Sequence, residues 1–221
     1  MKTKKRRKIR YKRILFVLFF LFLIIFLSIK FFNIRITNIY ISGNNILTDQ
    51  EIIDIASLSN YPKSINNPTW TIENRLESNI LIKHAKVSKD AGIVRINIEE
   101  NNPLFYDNIE NKTILSDKNK IDIKYDVPIL INTISSDIYD EFIDKMNDIN
   151  SNILKKISEI KYDPNDIDNK RFLFTMVDGN YVYLTINKFE LINNYISIIK
   201  NFSSKKGILY LDAGNVFEYF E

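Results

Sequence analysis

Apolar residues run from Ile14 to Phe32 with only Ser28 and Lys30 between them, in the sequence ILFVLFFLFLIIFLSIKFF. As a helix at about 1.5 Å per residue, the run is roughly 28 Å long, close to the hydrocarbon thickness of a bilayer. No polar face exists between Ile14 and Leu27, which argues against a core helix of a globular domain. The pattern predicts a transmembrane helix over 14–32, with Ile14, Phe20, Leu27 and Phe32 as membrane-anchor positions and Lys30 snorkelling to the headgroups. A cleaved signal peptide has a shorter core of about 7–15 residues and a small-x-small cleavage site. Lys30-Phe31-Phe32-Asn33-Ile34-Arg35 offers no such site, so an uncleaved anchor is expected.

Beyond the anchor the periodicity changes. Ile34–Ser42 is rich in β-branched residues and stops at Gly43-Asn44, a strand closed by a turn. Thr48 and Glu51 have the spacing of a capping box, and Ile52, Ile55, Ala56 and Ser59 follow helical spacing behind it. Asn66-Asn67-Pro68 breaks the chain, and Thr71–Asn79 reads as a second short helix with Ile72, Leu76 and Ile80 on one stripe. Ala85–Val87 reads as a strand. After the Lys89–Gly92 turn, Val94, Ile96 and Ile98 alternate with Arg95, Asn97 and Glu99 until Pro103 ends the run. The order β-α-α-β-β places two helices over one face of a three-stranded sheet.

From Leu104 the pattern predicts strand pieces within Ile114–Ile123 around a turn at Lys118-Asn119, and a Pro-containing edge strand at Val127–Ile131. A helix over Asp137–Ile149 follows, then strands at Ile157–Tyr162 and Arg171–Val177. Asp178-Gly179-Asn180 is a hairpin signal before a strand at Tyr181–Ile186. Lys188–Phe202 reads as one amphipathic helix with the stripe Phe189, Ile192, Ile196, Ile199 and Phe202, ended by Gly207. Ile208–Leu211 and Asn215–Phe220 close the chain as extended pieces around Ala213-Gly214. The fold class is therefore α+β behind one transmembrane helix: a basic tail over 1–13, the anchor over 14–32, a β-α-α-β-β domain over 33–103 and a mixed β-sheet domain with helices over 104–221.

Charge sharpens this division. The chain carries 31 Lys or Arg against 27 Asp or Glu, a net +4. Nine of the basic residues (Lys2, Lys4, Lys5, Arg6, Arg7, Lys8, Arg10, Lys12 and Arg13) precede the anchor, leaving 22 against 27, or −5, in everything after Arg13. Cationic flanks stay on the cytoplasmic side, so the expected topology is single-pass type II with the bulk outside. The tail is suited to fixing that orientation and to touching anionic lipid. An acidic exported part is unsuited to nucleic acid, whose affinity comes from phosphate neutralisation. The 189 residues after Phe32 suffice for two small cores, and the absence of cysteine excludes disulfides and thiol chemistry.

Catalysis needs convergent groups with tuned proton affinities. The one histidine, His84, stands alone between a helix and a strand and is expected to be a surface residue. Asp163-Pro164-Asn165-Asp166-Ile167-Asp168 is oxygen-rich but lacks the glycine and glutamate of a calcium loop, so it reads as a solvated turn. The five glycines are scattered and form no phosphate cradle. Asn111-Lys-Thr113 and Asn201-Phe-Ser203 match the glycosylation sequon at a frequency that abundant Asn explains. No catalytic residue, metal, cofactor or small-molecule substrate is expected. Tyr210, Phe217, Tyr219 and Phe220 are more aromatics than one sheet edge needs for its core, and aromatic anchors suit binding hot spots.

The runs IYISGNNILTDQEI and TWTIENRLESNILIKHAKVSKDAGIVRINIEENNPLFY resemble a POTRA domain, in the version found in the FtsQ/DivIB family of bacterial cell-division proteins. The matching features are Ile-x-Ile-x-Gly-Asn at Ile39–Asn44, the acidic-Ile helix start and the Glu-x-x-Pro exit at Glu100–Pro103, in order after a single anchor. SEIKYD, VDGNYVYL, FELINNYISIIKNF and GILYLDAGNVFEYF resemble that family's β domain, and the likeness is weakest over 109–136. The resemblance implies a divisome scaffold at the division septum. It also implies that the C-terminal strands dock coiled-coil partners of the FtsB/DivIC and FtsL type, through Leu209, Leu211, Phe217 and Tyr219. The sequence ends at Glu221 without the extended polar tail of many relatives, so regulatory contacts through such a tail are not expected. The alternative is a secretion or envelope-assembly component that uses a POTRA-like module for another client.

Overall fold

Helix α1 spans Tyr11–Phe32, starting three residues before the predicted Ile14. None of its Tyr11–Ser28 stretch is buried, and Ile14, Phe20 and Leu27 are exposed along it. A helix satisfies all its backbone groups internally, so an apolar one left uncovered by protein suits lipid. The computed structural model describes residues 11–202 and 206–220, without the side chains of 29–32. The tail positions Lys2 to Arg10, the Lys30 and Phe32 side chains, Ser203 and Glu221 lie outside the described residues.

The chain separates into two units between Glu100 and Asn101. The first carries β1 (Asn38–Ser42), α2 (Asp49–Ile55), α3 (Thr69–Glu77), β2 (Ile82–Asp90) and β3 (Ile93–Glu100). This is the predicted β-α-α-β-β order. The sheet runs β1-β3-β2, with β1 parallel and β2 antiparallel to the central β3. Val94, Ile96 and Ile98 are buried on one face together with Ile52, Ala56, Ile72 and Leu76 from the helical side. The Thr48 hydroxyl accepts the Glu51 N–H at 3.3 Å and the Glu51 carboxylate accepts the Thr48 N–H at 2.8 Å, so the capping box is present.

Strand β1 begins four residues later than expected because the chain before it bonds elsewhere. The Ile36 N–H donates to the Pro62 carbonyl at 3.0 Å, and the Ser64 N–H to the Ile34 carbonyl at 2.8 Å. At the other end of the unit, buried Glu100 accepts the N–H groups of Asn45, Ile46 and Leu47 at 2.7, 2.9 and 2.9 Å. One carboxylate thereby satisfies three consecutive donors in the loop before α2.

The second unit contains β4 (Pro103–Asp107), β5 (Lys112–Leu115), β6 (Lys120–Ile121), β7 (Ile129–Leu130), α4 (Tyr139–Met146) and α5 (Ser151–Leu154). It continues with β8 (Ile157–Tyr162), β9 (Arg171–Met176), β10 (Tyr181–Thr185), α6 (Tyr195–Ile199), β11 (Gly207–Tyr210) and β12 (Val216–Tyr219). Among the described residues these strands form one sheet in the order β12-β11-β10-β9-β8-β7-β4-β5-β6. Phe142 sits in the core, its ring 5.0 Å from Phe105 and 4.9 Å from Phe172 between centroids.

Three expectations are corrected. The Val127–Ile131 strand is central, between β4 and β8, and not an edge. Pro128 precedes the paired residues and offers only its carbonyl, to the Tyr106 N–H at 2.8 Å, so its missing donor costs nothing. The Lys188–Phe202 helix is instead a 3₁₀ stretch, Ile186–Asn194, broken at Lys188 (φ −123°), followed by short α6. The buried residues Ile186, Phe189, Ile192 and Tyr195 recur every third position, the 3₁₀ repeat, which leaves Ile196 exposed. Gly207 does not end a helix but opens β11.

Candidate functional site

The site is the outer edge of the large sheet, and its geometry starts at a turn. Asp178-Gly179-Asn180 reverses the chain between β9 and β10, with Gly179 at φ +86°. Asn180 is buried; its Nδ2 donates to the Tyr195 hydroxyl at 2.9 Å and its Oδ1 accepts the Gly207 N–H at 3.0 Å. The Tyr195 hydroxyl in turn donates to the Asp178 carboxylate at 2.7 Å. Burial, then that carboxylate, pushes the Tyr195 phenol above its ordinary proton affinity. The turn, α6 and the first residue of β11 are thus tied through one amide side chain. The crossover lets β11 lie parallel to β10, with Val182 opposite Leu209 and Tyr183 opposite Tyr210.

Strand β12 then folds back antiparallel onto β11, pairing Leu209 with Phe217 and Gly207 with Tyr219. Gly207 permits this approach, since a Cβ there would lie 2.1 Å from the Glu218 carbonyl oxygen. The Phe220 N–H donates to the Lys206 carbonyl at 3.0 Å. By the alternation of an antiparallel ladder, Phe217 and Tyr219 therefore turn their backbone groups away from β11, to the open side. Val216 is exposed, and Tyr219 and Phe220 are each 43% exposed. Phe217 stacks on Phe202 at 4.5 Å and meets Tyr219 edge-on at 5.1 Å, so an aromatic strip lines the edge.

Leu209 and Leu211 are buried in the core, which corrects the expectation that their side chains touch a partner. They hold β11 in place behind the edge. Tyr210 is half-buried on the other face, stacked on Tyr183 at 5.5 Å and donating to Glu218 at 3.0 Å. Burial, then the Glu218 bond, raises its proton affinity. Arg171 extends the row, with its guanidinium 3.4 Å from the centre of the Tyr183 ring and Nε 2.8 Å from Asp212. Burial opposes its charge, but the Asp212 bond and nearby anions more than offset this and hold it above its ordinary value. Tyr210 therefore stiffens the edge from behind.

The small sheet's β2 edge is covered. The N–H groups of Ala85 and Val87 donate to the carboxylates of Glu77 and Glu73 at 2.9 and 2.8 Å, so α3 occupies donors that a visiting strand would need. His84 pairs with the same Glu77, its Nδ1 at 2.7 Å. In the Asp163–Asp168 loop, Asn165 accepts the N–H groups of Ile167 and Asp168, while Asp163 holds Lys161 at 2.8 Å. Among the described residues, no group of three His, Cys, Asp or Glu side chains is placed to hold a metal. Asn180, Glu73 and Glu77 were not legible as site residues because each acts through a distant backbone N–H, and Tyr195 because it acts through side chains in a turn that precedes it in the chain.

A family model described as the FtsQ-type POTRA domain matches residues 34–101. The cell division protein DivIB of Bacillus subtilis (strain 168) is 29% identical over a 238-residue alignment covering 99% of this chain and 88% of that protein. DivIB of Listeria monocytogenes serovar 1/2a is 27% identical, covering 99% of this chain and 85% of that protein. A solved structure of the major extracytoplasmic domain of DivIB from Geobacillus stearothermophilus overlaps loosely, with a TM-score of 0.38 and 20% identity over 47% of this chain and 95% of that one. With an FtsQ-type POTRA domain matched directly behind its apolar helix and similarity to DivIB proteins along its length, the chain is similar to the FtsQ/DivIB family of bacterial cell-division proteins.

Proposed function

We propose that this protein is a single-pass scaffold of the septal division machinery. Its basic N-terminus lies in the cytoplasm, its two units lie outside, and its β12 edge captures a strand from a coiled-coil partner of the FtsB/DivIC type, held together with FtsL. The observation that carries this is the contrast between edges. The β2 edge is filled by Glu73 and Glu77, whereas β12 presents the backbone groups of Phe217 and Tyr219 beside an exposed aromatic strip. Main-chain bonds would supply affinity and the aromatics selectivity. Holding such partners at the septum would let the scaffold coordinate wall synthesis without chemistry of its own.

The test is capture of a purified DivIC-type partner by the full chain in detergent, comparing wild type with Phe217→Glu and Tyr219→Glu. Capture lost from variants that unfold at the wild-type temperature supports the reading. Capture unchanged in both variants sinks it. Co-purification of exported substrates or channel subunits in place of division proteins would favour an envelope-assembly role.

A further inference from the structure

A second exposed apolar patch lies at the other end of the first unit, where the chain leaves α1. Asn33 and Ile34 are the two residues after the helix. The Lys63 Nζ donates to the Asn33 side chain at 2.9 Å, the Ser64 N–H donates to the Ile34 carbonyl at 2.8 Å, and Arg35 bridges Lys63. The 61–68 loop is therefore fastened to the exit segment. Lys89 secures it from behind, its Nζ donating at 2.6 Å to the carbonyls of both Ser64 and Asn67.

The side chains this loop displays are unusual for a surface. Ile34, Ile65, Pro68 and Ala91 line a shallow groove of about 310 Å³. Ile65 is 41% exposed, Tyr61 47%, and Trp70, two residues after Pro68, 62%. Tyr61 also adopts φ +46°, a conformation costly for a bulky residue, and core packing of its ring does not compensate. Lys89 lines the groove, and Arg35, Lys63 and Asp90 are next to lining residues in sequence, a local basic excess in an exterior that is acidic after Arg13.

We propose that this patch docks on the bilayer that α1 crosses, seating Tyr61, Ile65 and Trp70 among the headgroups and Arg35 and Lys63 against anionic lipid. Two residues of chain reach at most about 7 Å, which is the depth of a headgroup layer, about 5–8 Å. The loop bonded to Ile34 is therefore within reach of that layer. Tyr and Trp favour this zone because one end of each ring is apolar and the other wet. Docking would fix the tilt of the POTRA domain on its anchor. The proposal rests on α1 being inserted in lipid.

Trp70 is the single tryptophan of the chain and reports the contact directly. The full chain is reconstituted into phosphatidylcholine–phosphatidylglycerol nanodiscs, with insertion of α1 checked separately by a fluorophore on Leu21→Cys. The expected result is a blue-shifted Trp70 emission, quenched by headgroup-spin-labelled lipid and shielded from aqueous iodide. Both effects should fall in Ile65→Asp and, more mildly, in Ile65→Ser, with unfolding temperatures unchanged. Trp70 open to iodide while the Leu21 probe reports lipid overturns the docking and leaves the anchor standing. Trp70 shielded from iodide but untouched by labelled lipid assigns the patch to a protein and overturns it too. A Leu21 probe in water removes the anchor, and the docking with it.

Discussion

The Asn180 side-chain carbonyl accepts the Gly207 backbone N–H at 3.0 Å across 27 positions of sequence. Through this bond the β9–β10 turn decides where β11 begins, and with it the position of the open β12 edge. The donor is buried, so water cannot replace the acceptor. Asn180→Ala leaves it unpaired at a cost of about 1–3 kcal/mol. Hydrogen exchange should show faster opening across β11 and β12 than across β8 and β9, and equal protection would contradict the coupling.

Gly207→Ala tests the same edge sterically. The added methyl would lie 2.1 Å from the Glu218 oxygen and 2.9 Å from the Phe217 ring. Neither backbone nor stacked ring can yield without breaking the pairing, so β12 should detach and the Phe220 amide lose protection. Partner capture should fall as far as in Tyr219→Glu, while the first unit keeps its exchange pattern. A variant that captures normally would show that β12 pairing is dispensable.

Glu73 and Glu77 cover the β2 edge, and removing both should expose it. The Glu73→Ala/Glu77→Ala pair is expected to lose about 1–3 kcal/mol, since Ala85 and Val87 then depend on water. It should also self-associate, because an uncovered edge recruits other strands. Sedimentation of the detergent-solubilised double variant, compared with wild type, reads this out; a strictly monomeric variant would mean that the carboxylates do not protect the edge.

Tyr195 gives the protein a signature in alkali. Burial and the Asp178 bond favour its neutral form in the folded state, so its proton affinity is higher than in the unfolded chain. Its contribution is therefore complete below the unfolded value, about 10, and is lost as pH rises beyond it. One such group lowers stability by at most about 1.36 kcal/mol per pH unit in that window. Tyr195→Phe should flatten the decline above pH 10, measured by denaturant unfolding. Tyr139, raised chiefly by burial, leaves a residual slope. Parallel curves for the two proteins would remove Tyr195 from the account.

Much of the first unit was legible because its signals are local. The Thr48–Glu51 box and the Val94-Ile96-Ile98 alternation each declare themselves within a few residues, as does the Asp178–Asn180 turn in the second unit. The failures came where spacing admits two readings. Phe189 and Ile192 fit an α stripe and a 3₁₀ stripe alike, and only the burial of Ile186 and Tyr195 selects the latter. A proline in Val127–Ile131 suggested an edge, but the paired residues Ile129 and Leu130 exclude it.

The sequence by itself determined the long apolar helix, the β-α-α-β-β order of the first unit and the aromatic character of the last strand. Length, hydropathy and period are properties of a chain and survive without partners in space. Only tertiary structure decided that Leu209 and Leu211 face inward while Tyr219 and Phe220 stay exposed, and that Glu73 and Glu77 cover one edge while β12 is the outermost strand among the described residues. The reason is that a hydrogen bond or a steric approach joins residues tens of positions apart. Side-chain identity names what each can donate or accept, but the fold alone brings Asn180 to Gly207 and Glu73 to Val87.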